Sequence, residues 1–182
     1  LLNEQPDKAI DALVEVAKLD PETTELHFAL GSLFRRRGET ERAIRVHQHL
    51  VGRDDIAARD RAHAGYELGR DFLRAGMLDR AEASLNQVGD GRYLIPAKVA
   101  LLEMYQIEKD WRKAIIAASE LAQLEKKDYQ DQIAQFDCEI ALEAMRRQDL
   151  AASHLALDHA FIAVPEHIRA TILRGEVYIL GQ

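Results

Sequence analysis

Small, apolar and turn-forming residues recur along the chain with a fixed spacing. The pairs Leu30-Gly31 and Leu68-Gly69 lie 38 residues apart, and each is followed at the same offsets by a phenylalanine, a glycine and an alanine. These later members are Phe34, Gly38 and Ala43 in the first copy, and Phe72, Gly76 and Ala81 in the second. A small residue, an aromatic residue and a turn glycine at these offsets predict two antiparallel helices that pack closely and repeat along the chain.

This pattern is typical of tetratricopeptide repeats, and it predicts an all-α fold: a right-handed α-solenoid of helix hairpins. We expect full repeats at about 23–56, 57–93, 94–128 and 129–166, with half repeats at 1–22 and 167–182. The alternative is a non-repeating helical bundle, which is disfavoured because glycine, aromatic and alanine recur in one phase.

Individual residues sharpen this picture. A helix from about Thr24 to Arg37 should end at Gly38, which supplies a left-handed conformation. Ala43 should lie where the two helices of a hairpin cross, and Gly31, Gly69 and Gly175 should each lie against a neighbouring helix. The polar segment 52–60 predicts either an extended turn between repeats or an early start of the next helix.

Composition narrows the function. The 182 residues carry a formal net charge of −7, which disfavours nucleic acid as the main partner because phosphate binding needs a basic excess. A single cysteine, Cys138, excludes a disulfide within the chain and a thiolate metal site. No apolar run approaches the ~18 residues that a membrane-spanning helix needs. The chain begins at Leu1 and stops inside a helical pattern, so we interpret it as part of a longer protein.

No catalytic constellation is visible, and we expect no enzyme activity. HExxH is absent from the sequence, and His154 with Asp158 could touch a metal in principle but is better interpreted as a solvated polar pair. Cys138 lies between two acidic residues, which should raise its pKa and disfavour a nucleophilic role. His27 and His47 fall on packing positions and are expected to be structural.

A binding face is the better candidate. In a solenoid of this kind the first helix of each pair lines the concave surface, which we expect to bind proteins through arginines beside aromatic rings. The predicted site residues are Phe28, Ser32, Arg35, Arg36, Tyr66, Arg70, Arg74, Glu103, Gln106 and Arg146, and His63 falls on the same face. The alternative is that the arginines only neutralise helix ends and nearby acids. Phe28 and Ser32 replace the lysine and asparagine that clamp chaperone tails, so such a tail is not expected as the ligand.

Longer strings resemble one family. LGSLFRRRGETERAIRVHQHL (30–50) and LGRDFLRAGMLDRAEASLNQV (68–88) are similar to the first two repeats of the lipopolysaccharide assembly protein B family. QIAQFDCEIAL (132–142) is similar to a later helix of that family, and the similarity covers about residues 7–178. The resemblance implies an N-terminal membrane helix, a cytoplasmic repeat domain, and a C-terminal rubredoxin-like module with two metal-binding CxxC pairs. This chain has one cysteine, so we expect no cofactor within it.

The resemblance also implies a role. Family members restrain lipopolysaccharide synthesis by helping the membrane protease FtsH to degrade the deacetylase LpxC, and they are linked to the lipopolysaccharide assembly proteins. The expected location is the cytoplasmic side of the bacterial inner membrane, with membrane attachment only through an N-terminal anchor. A homodimer is a further possibility. The alternative identity is the substrate-selecting repeat segment of an O-linked N-acetylglucosaminyl transferase.

Overall fold

The computed structural model describes residues 23–89 and 91–181, and this part of the chain is helical with no strand. Within these ranges there are nine α-helices: Thr24–Arg36 (α1), Thr40–Val51 (α2), Ala58–Arg74 (α3), Leu78–Asn86 (α4), Leu94–Glu108 (α5), Trp111–Glu125 (α6), Gln130–Arg146 (α7), Leu150–Ala163 (α8) and Ile168–Leu180 (α9). The predicted all-α tetratricopeptide fold class is confirmed. The predicted half repeat at 1–22 lies outside the described residues.

The chain divides into two compact units, residues 1–97 and 98–182. In the first unit α2 packs on both α1 and α3, and α3 packs on α4. In the second unit α7 packs on α6 and α8, and α9 packs on both α7 and α8. In each unit, therefore, a helix contacts its own hairpin partner and also the neighbouring hairpin, which is how a repeat buries its apolar face.

The turn inside each hairpin has the same backbone in all four hairpins of the described ranges. One residue takes a positive φ: 80° at Gly38, 71° at Gly76, 60° at Lys109 and 61° at Gln148. The next N–H then reaches back to a carbonyl five residues earlier, as from Glu39 to Phe34 at 2.9 Å. The predicted left-handed conformation of Gly38 is confirmed, and the same turn forms without glycine in the last two hairpins.

Aspartates support the two turns that lack glycine. A side chain with a Cβ is disfavoured at positive φ by about 1–2 kcal/mol, so Lys109 and Gln148 each carry a conformational cost. The residue that follows each of them is an aspartate whose carboxylate accepts a backbone N–H of the next helix. Asp110 accepts from Lys113 at 3.1 Å, and Asp149 accepts from Ala152 at 2.9 Å.

Hairpin helices approach closely where one side chain is small. An added Cβ at Gly31 would overlap the His47 imidazole, and one at Gly69 would lie 2.6 Å from Leu85 Cγ, so both glycines lie against a neighbouring helix as predicted. Gly175 does not: a Cβ there would meet nothing within 4 Å, because no described helix faces it. The prediction for Gly175 was therefore wrong.

The sizes of facing residues are exchanged in the third hairpin, whereas Ala141 and Leu157 of the fourth hairpin keep the small residue on the first helix. The positions that correspond to Gly31 and His47 hold Leu102 and Ala118 in the third hairpin, and both are buried. In the third hairpin the large residue is on the first helix and the small one on the second. The predicted crossing position is also confirmed, since Ala43 and its counterparts Ala81, Ala114 and Ser153 are all 0% exposed.

The polar segment after the first hairpin contains both predicted features. Residues 52–57 form the turn between repeats, and α3 begins at Ala58. Ile56 is buried within this turn, and Arg61 Nη2 donates to the Arg53 carbonyl at 2.9 Å. The segment is therefore a hydrogen-bonded connection and not a loose loop.

Candidate protein-binding surface

Four rings form a continuous aromatic stack on the first-helix face of the first unit. Phe28 comes from α1, His63 and Tyr66 come from α3, and Tyr93 directly precedes α5. The His63 ring lies between the rings of Phe28 and Tyr93, with centroid distances of 3.9 Å to Phe28 and 4.3 Å to Tyr93. The Tyr66 ring lies 5.6 Å from the Tyr93 ring. We name Phe28, His63, Tyr66 and Tyr93 the aromatic stack.

Arginines flank the aromatic stack. The Arg70 guanidinium lies 5.6 Å from the Tyr66 ring centroid, and the Arg92 guanidinium lies 4.9 Å from that of Tyr93. A shallow depression of about 350 Å³ lies over the stack and includes Arg59 in its wall. Half-buried rings offer apolar area at little conformational cost, and exposed guanidinium groups offer planar hydrogen bonds, so this surface suits a peptide.

Arg35 does not belong to that exposed surface. Its side chain is 13% exposed, and Nη1 lies 2.7 Å from Asp71 Oδ1 while Nη2 pairs with Glu67. Nη1 also donates to the Glu67 carbonyl at 3.2 Å, and the other Asp71 oxygen lies 2.5 Å from His47 Nδ1. We name Arg35, His47, Glu67 and Asp71 the buried ion cluster. It joins α1, α2 and α3.

Electrostatics within the buried ion cluster favour the charged forms of Glu67 and Arg35. Burial opposes ionisation of Glu67, but hydrogen bonds from His63 and Arg35 outweigh it and lower the pKa of Glu67 to about 2. Burial likewise opposes the guanidinium charge, but Glu67 and Asp71 outweigh it and raise the pKa of Arg35 further above its usual range. The Arg35 cation is thus held by two carboxylates of its own chain, the role that the alternative interpretation gave to the arginines.

The remaining predicted site residues lie in both units. In the first unit Ser32 is half-buried, whereas Arg36 and Arg74 are exposed. In the second unit Glu103 and Arg146 are exposed, and Gln106 Nε2 donates to the Leu102 carbonyl at 3.3 Å. Of the predicted site residues, the structure brings Phe28, Tyr66 and Arg70 together in one patch.

Sequence reasoning placed His63 on this face but missed Tyr93. Tyr93 falls in the connection before α5, outside the helical phase used to choose the other positions. The usable signal was its neighbour, since Arg92-Tyr93 repeats the arginine and aromatic pairing found at Arg70 and Tyr66.

Residues with catalytic potential take structural roles in the described part of the chain. Burial raises the pKa of Cys138 to about 11, and its acidic neighbours add to this while Arg169 opposes it. Asp158 pairs with Arg174 at 2.6 Å. Glu139 pairs with Arg169 at 2.7 Å.

Across residues 23–89 and 91–181, no group of three or more His, Cys, Asp or Glu side chains is arranged to hold a metal ion. No helix in these ranges combines the length and apolar character needed to cross a membrane.

Known proteins resemble this chain in sequence and in fold. A family model for the tetratricopeptide repeat matches residues 3–55. The chain is 40% identical over 180 residues to "Lipopolysaccharide assembly protein B" of Escherichia coli (strain K12), covering 98% of this chain and 46% of that protein. It is 30% identical over 189 residues to the protein of the same name from Haemophilus influenzae, covering 99% and 48% respectively. The chain thus spans about half the length of these curated relatives.

A solved structure shares the fold alone. BtubC (BKLC) from P. vanneervenii superposes with a TM-score of 0.51 at 12% identity, covering 97% of this chain and 82% of that one. The predicted resemblance to one family is confirmed by the curated relatives, which favour it over the glycosyl transferase alternative.

Proposed function

We propose that this chain, a tetratricopeptide segment of the lipopolysaccharide assembly protein B family, is a protein-binding adaptor that acts in lipopolysaccharide assembly. The relatives are lipopolysaccharide assembly proteins, which supports the biological setting, and the repeat fold supports protein binding as the activity. The aromatic stack with its flanking arginines is the observation that carries the proposal. We expect the role to be non-enzymatic and to need no metal or organic cofactor within this chain.

The more specific form of the proposal concerns regulation. The segment presents the deacetylase LpxC to the membrane protease FtsH, on the cytoplasmic side of the inner membrane, and thereby restrains lipopolysaccharide synthesis. Phe28, Tyr66 and Tyr93 supply apolar area for an extended or helical peptide of a partner, and Arg70 and Arg92 pair with its acidic side chains. Aromatic and arginine residues of this kind contribute most of the binding free energy in many interfaces.

The test is capture of FtsH and LpxC by the full-length protein and by its Tyr66→Ala, Arg70→Glu double variant. We expect the variant to lose capture of one or both partners by about tenfold or more, because a buried aromatic contact and a charge pair are lost together. In cells the same variant should raise the steady-state level of LpxC.

A matched control is Arg45→Glu, which reverses an exposed arginine on α2, away from the aromatic stack. Arg35 is unsuitable for this purpose because its loss would remove the cation that Glu67 and Asp71 share in the interior. Equal capture of both proteins by wild type and the double variant would refute the aromatic stack as the binding site.

A further inference from the structure

A second surface, in the second unit, has a different chemistry. An apolar groove of about 600 Å³ lies between α6 and α8, with α7 as its floor. Aliphatic side chains make most of its wall: Ile115, Ile133, Ile140, Leu155 and Ile162. Leu155 is 58% exposed and Ile162 is 80% exposed. Exposed aliphatic residues that border a groove indicate a site where another chain docks.

One carboxylate lies in this apolar floor. Asp137 is 4% exposed and lines the groove together with His159, and no hydrogen bond to its carboxylate forms among the described residues. A buried carboxylate normally has a cation or several N–H donors nearby, because desolvation of an isolated charge is costly. Burial raises the pKa of Asp137 to about 6, with His159 the one neighbour that opposes the shift.

The third hairpin has an ion pair at the two positions that correspond to Asp137 and His159. Asp137 and His159 occupy the positions that Lys98 and Glu120 hold in the third hairpin. There the two side chains meet, with Lys98 Nζ 2.7 Å from Glu120 Oε2. In the fourth hairpin both residues line the groove and no such contact closes, so the Asp137 carboxylate stays available from the groove side.

We propose that this groove binds an apolar segment of a partner protein that carries a single lysine or arginine, whose cation pairs with Asp137. Charge complementarity selects this occupant, because an entirely apolar segment would leave the carboxylate desolvated and unpaired. Arg112 and His159 also line the groove and would repel a second cation, so the segment carries one basic residue among apolar ones. This site is separate from the aromatic stack and does not depend on the function proposed above.

The experiment selects ligands without assuming their sequence. A displayed library of random short peptides is panned on the full-length protein, and the enriched peptides are synthesised with lysine and with norleucine at the basic position. We expect the lysine peptide to lose about tenfold or more in affinity on the Asp137→Asn variant. The norleucine peptide should bind the variant better than wild type, because it leaves a charged carboxylate unpaired only in wild type. Fluorescence anisotropy measures each affinity.

Matched isoleucines locate the binding. Ile162→Glu should abolish binding of the lysine peptide, whereas Ile107→Glu, at a residue that is also 80% exposed but outside the groove, should leave it unchanged. The aromatic-stack variant Arg70→Glu should also leave it unchanged, which separates this site from the proposed function. Unfolding curves verify that each variant is folded, and the exposed Ile162 position keeps the test valid if Asp137→Asn is unstable.

Three results would overturn the proposal. The first is enrichment of peptides that lack a basic residue. The second is equal affinity of the lysine peptide for wild type and for Asp137→Asn. The third is that no peptide is enriched, and dissociation of a dimer by Ile162→Glu would then show that a second copy of the chain covers the groove.

Discussion

The two units bury carboxylates in opposite ways. In the first unit Glu67 and Asp71 are buried with Arg35 and His47 as partners, and the pKa of Glu67 falls to about 2. In the second unit Asp137 is buried in a groove with mostly aliphatic walls, where desolvation outweighs the effect of the neighbouring His159 and the pKa of Asp137 rises to about 6. A buried acid that is ion-paired within the chain thus has a structural role, whereas a buried acid without an ion pair faces the groove.

The two units also form the same repeat backbone with different residues. The first unit places glycine at the turn and where the helices of a hairpin approach closely, as at Gly38 and Gly69. The third hairpin, in the second unit, places Lys109 at the turn, and Leu102 and Ala118 are at its positions of close approach. Substitutions that introduce or remove glycine at these positions test how much each residue contributes to stability.

The largest effect is expected from breaking the buried ion cluster. Arg35→Ala removes the guanidinium that two buried carboxylates share, and we expect it to lower the free energy of unfolding by about 3–5 kcal/mol. Urea unfolding at neutral pH measures the change. The adjacent Arg36→Ala, at an exposed position, is the control and should cost less than about 0.5 kcal/mol. A similar loss in the free energy of unfolding for the two variants would contradict a structural role for Arg35.

Next in size is the pH dependence of the two acids. Because the pKa of Asp137 is raised on folding, its stabilising effect is present at low pH and is lost as the pH rises through about 6. Asp137→Asn should therefore raise the free energy of unfolding at neutral pH by about 1–3 kcal/mol and flatten its decline between about pH 4 and 7. Glu67 behaves in the opposite sense. Its contribution is present above its unfolded pKa and is lost as the pH falls toward about 2. Urea unfolding from about pH 2 to pH 7 measures both effects; an unchanged slope in Asp137→Asn would contradict the assignment.

A smaller contrast is expected between two glycines. Gly69→Ala places a Cβ 2.6 Å from Leu85 and should lower the free energy of unfolding by about 1–3 kcal/mol through overpacking. Gly175→Ala meets nothing within 4 Å inside α9 and should raise it by about 0.5–1 kcal/mol through helix propensity. Thermal unfolding of both variants shows whether the two changes in the free energy of unfolding have opposite signs. Changes of the same sign would contradict the conclusion that glycine is required at position 69 but not at position 175.

The smallest effects concern the turns. Lys109→Gly and Gln148→Gly remove a Cβ from a left-handed residue, and each should stabilise the protein by about 0.4–1 kcal/mol. The reciprocal change Gly38→Ala should destabilise it by a similar amount. Denaturant midpoints measure all three, and a loss of stability in both glycine variants would mean that the aspartate-supported turns depend on their long side chains.

Sequence patterns predicted the fold well where glycine marks the repeat. The Leu-Gly pairs and turn glycines set the phase for the first unit, and that phase placed Ala43, Gly31 and Gly69 correctly. It was less informative in the second unit, because Lys109 and Gln148 take the turn conformation without a glycine to signal it. Backbone conformation at such positions depends on the hydrogen bonds around it, which a residue type does not reveal.

The candidate site was harder to predict than the fold. Helical phase put Phe28, Tyr66 and Arg70 on one face, but it could not show that Arg35 turns to acids 32 and 36 residues away. Pairing of this kind depends on how α1 packs against α3. The burial of Asp137 depends in the same way on α6 and α8, so its groove could not be found from local sequence.

The most direct test of the contrast between the two units is an NMR titration of the side-chain carboxyl carbons of Glu67 and Asp137. The account predicts that Glu67 titrates near pH 2 and Asp137 near pH 6. An Asp137 carboxyl that titrates near pH 4 or below would show that it already has a partner within the chain, and would contradict the account.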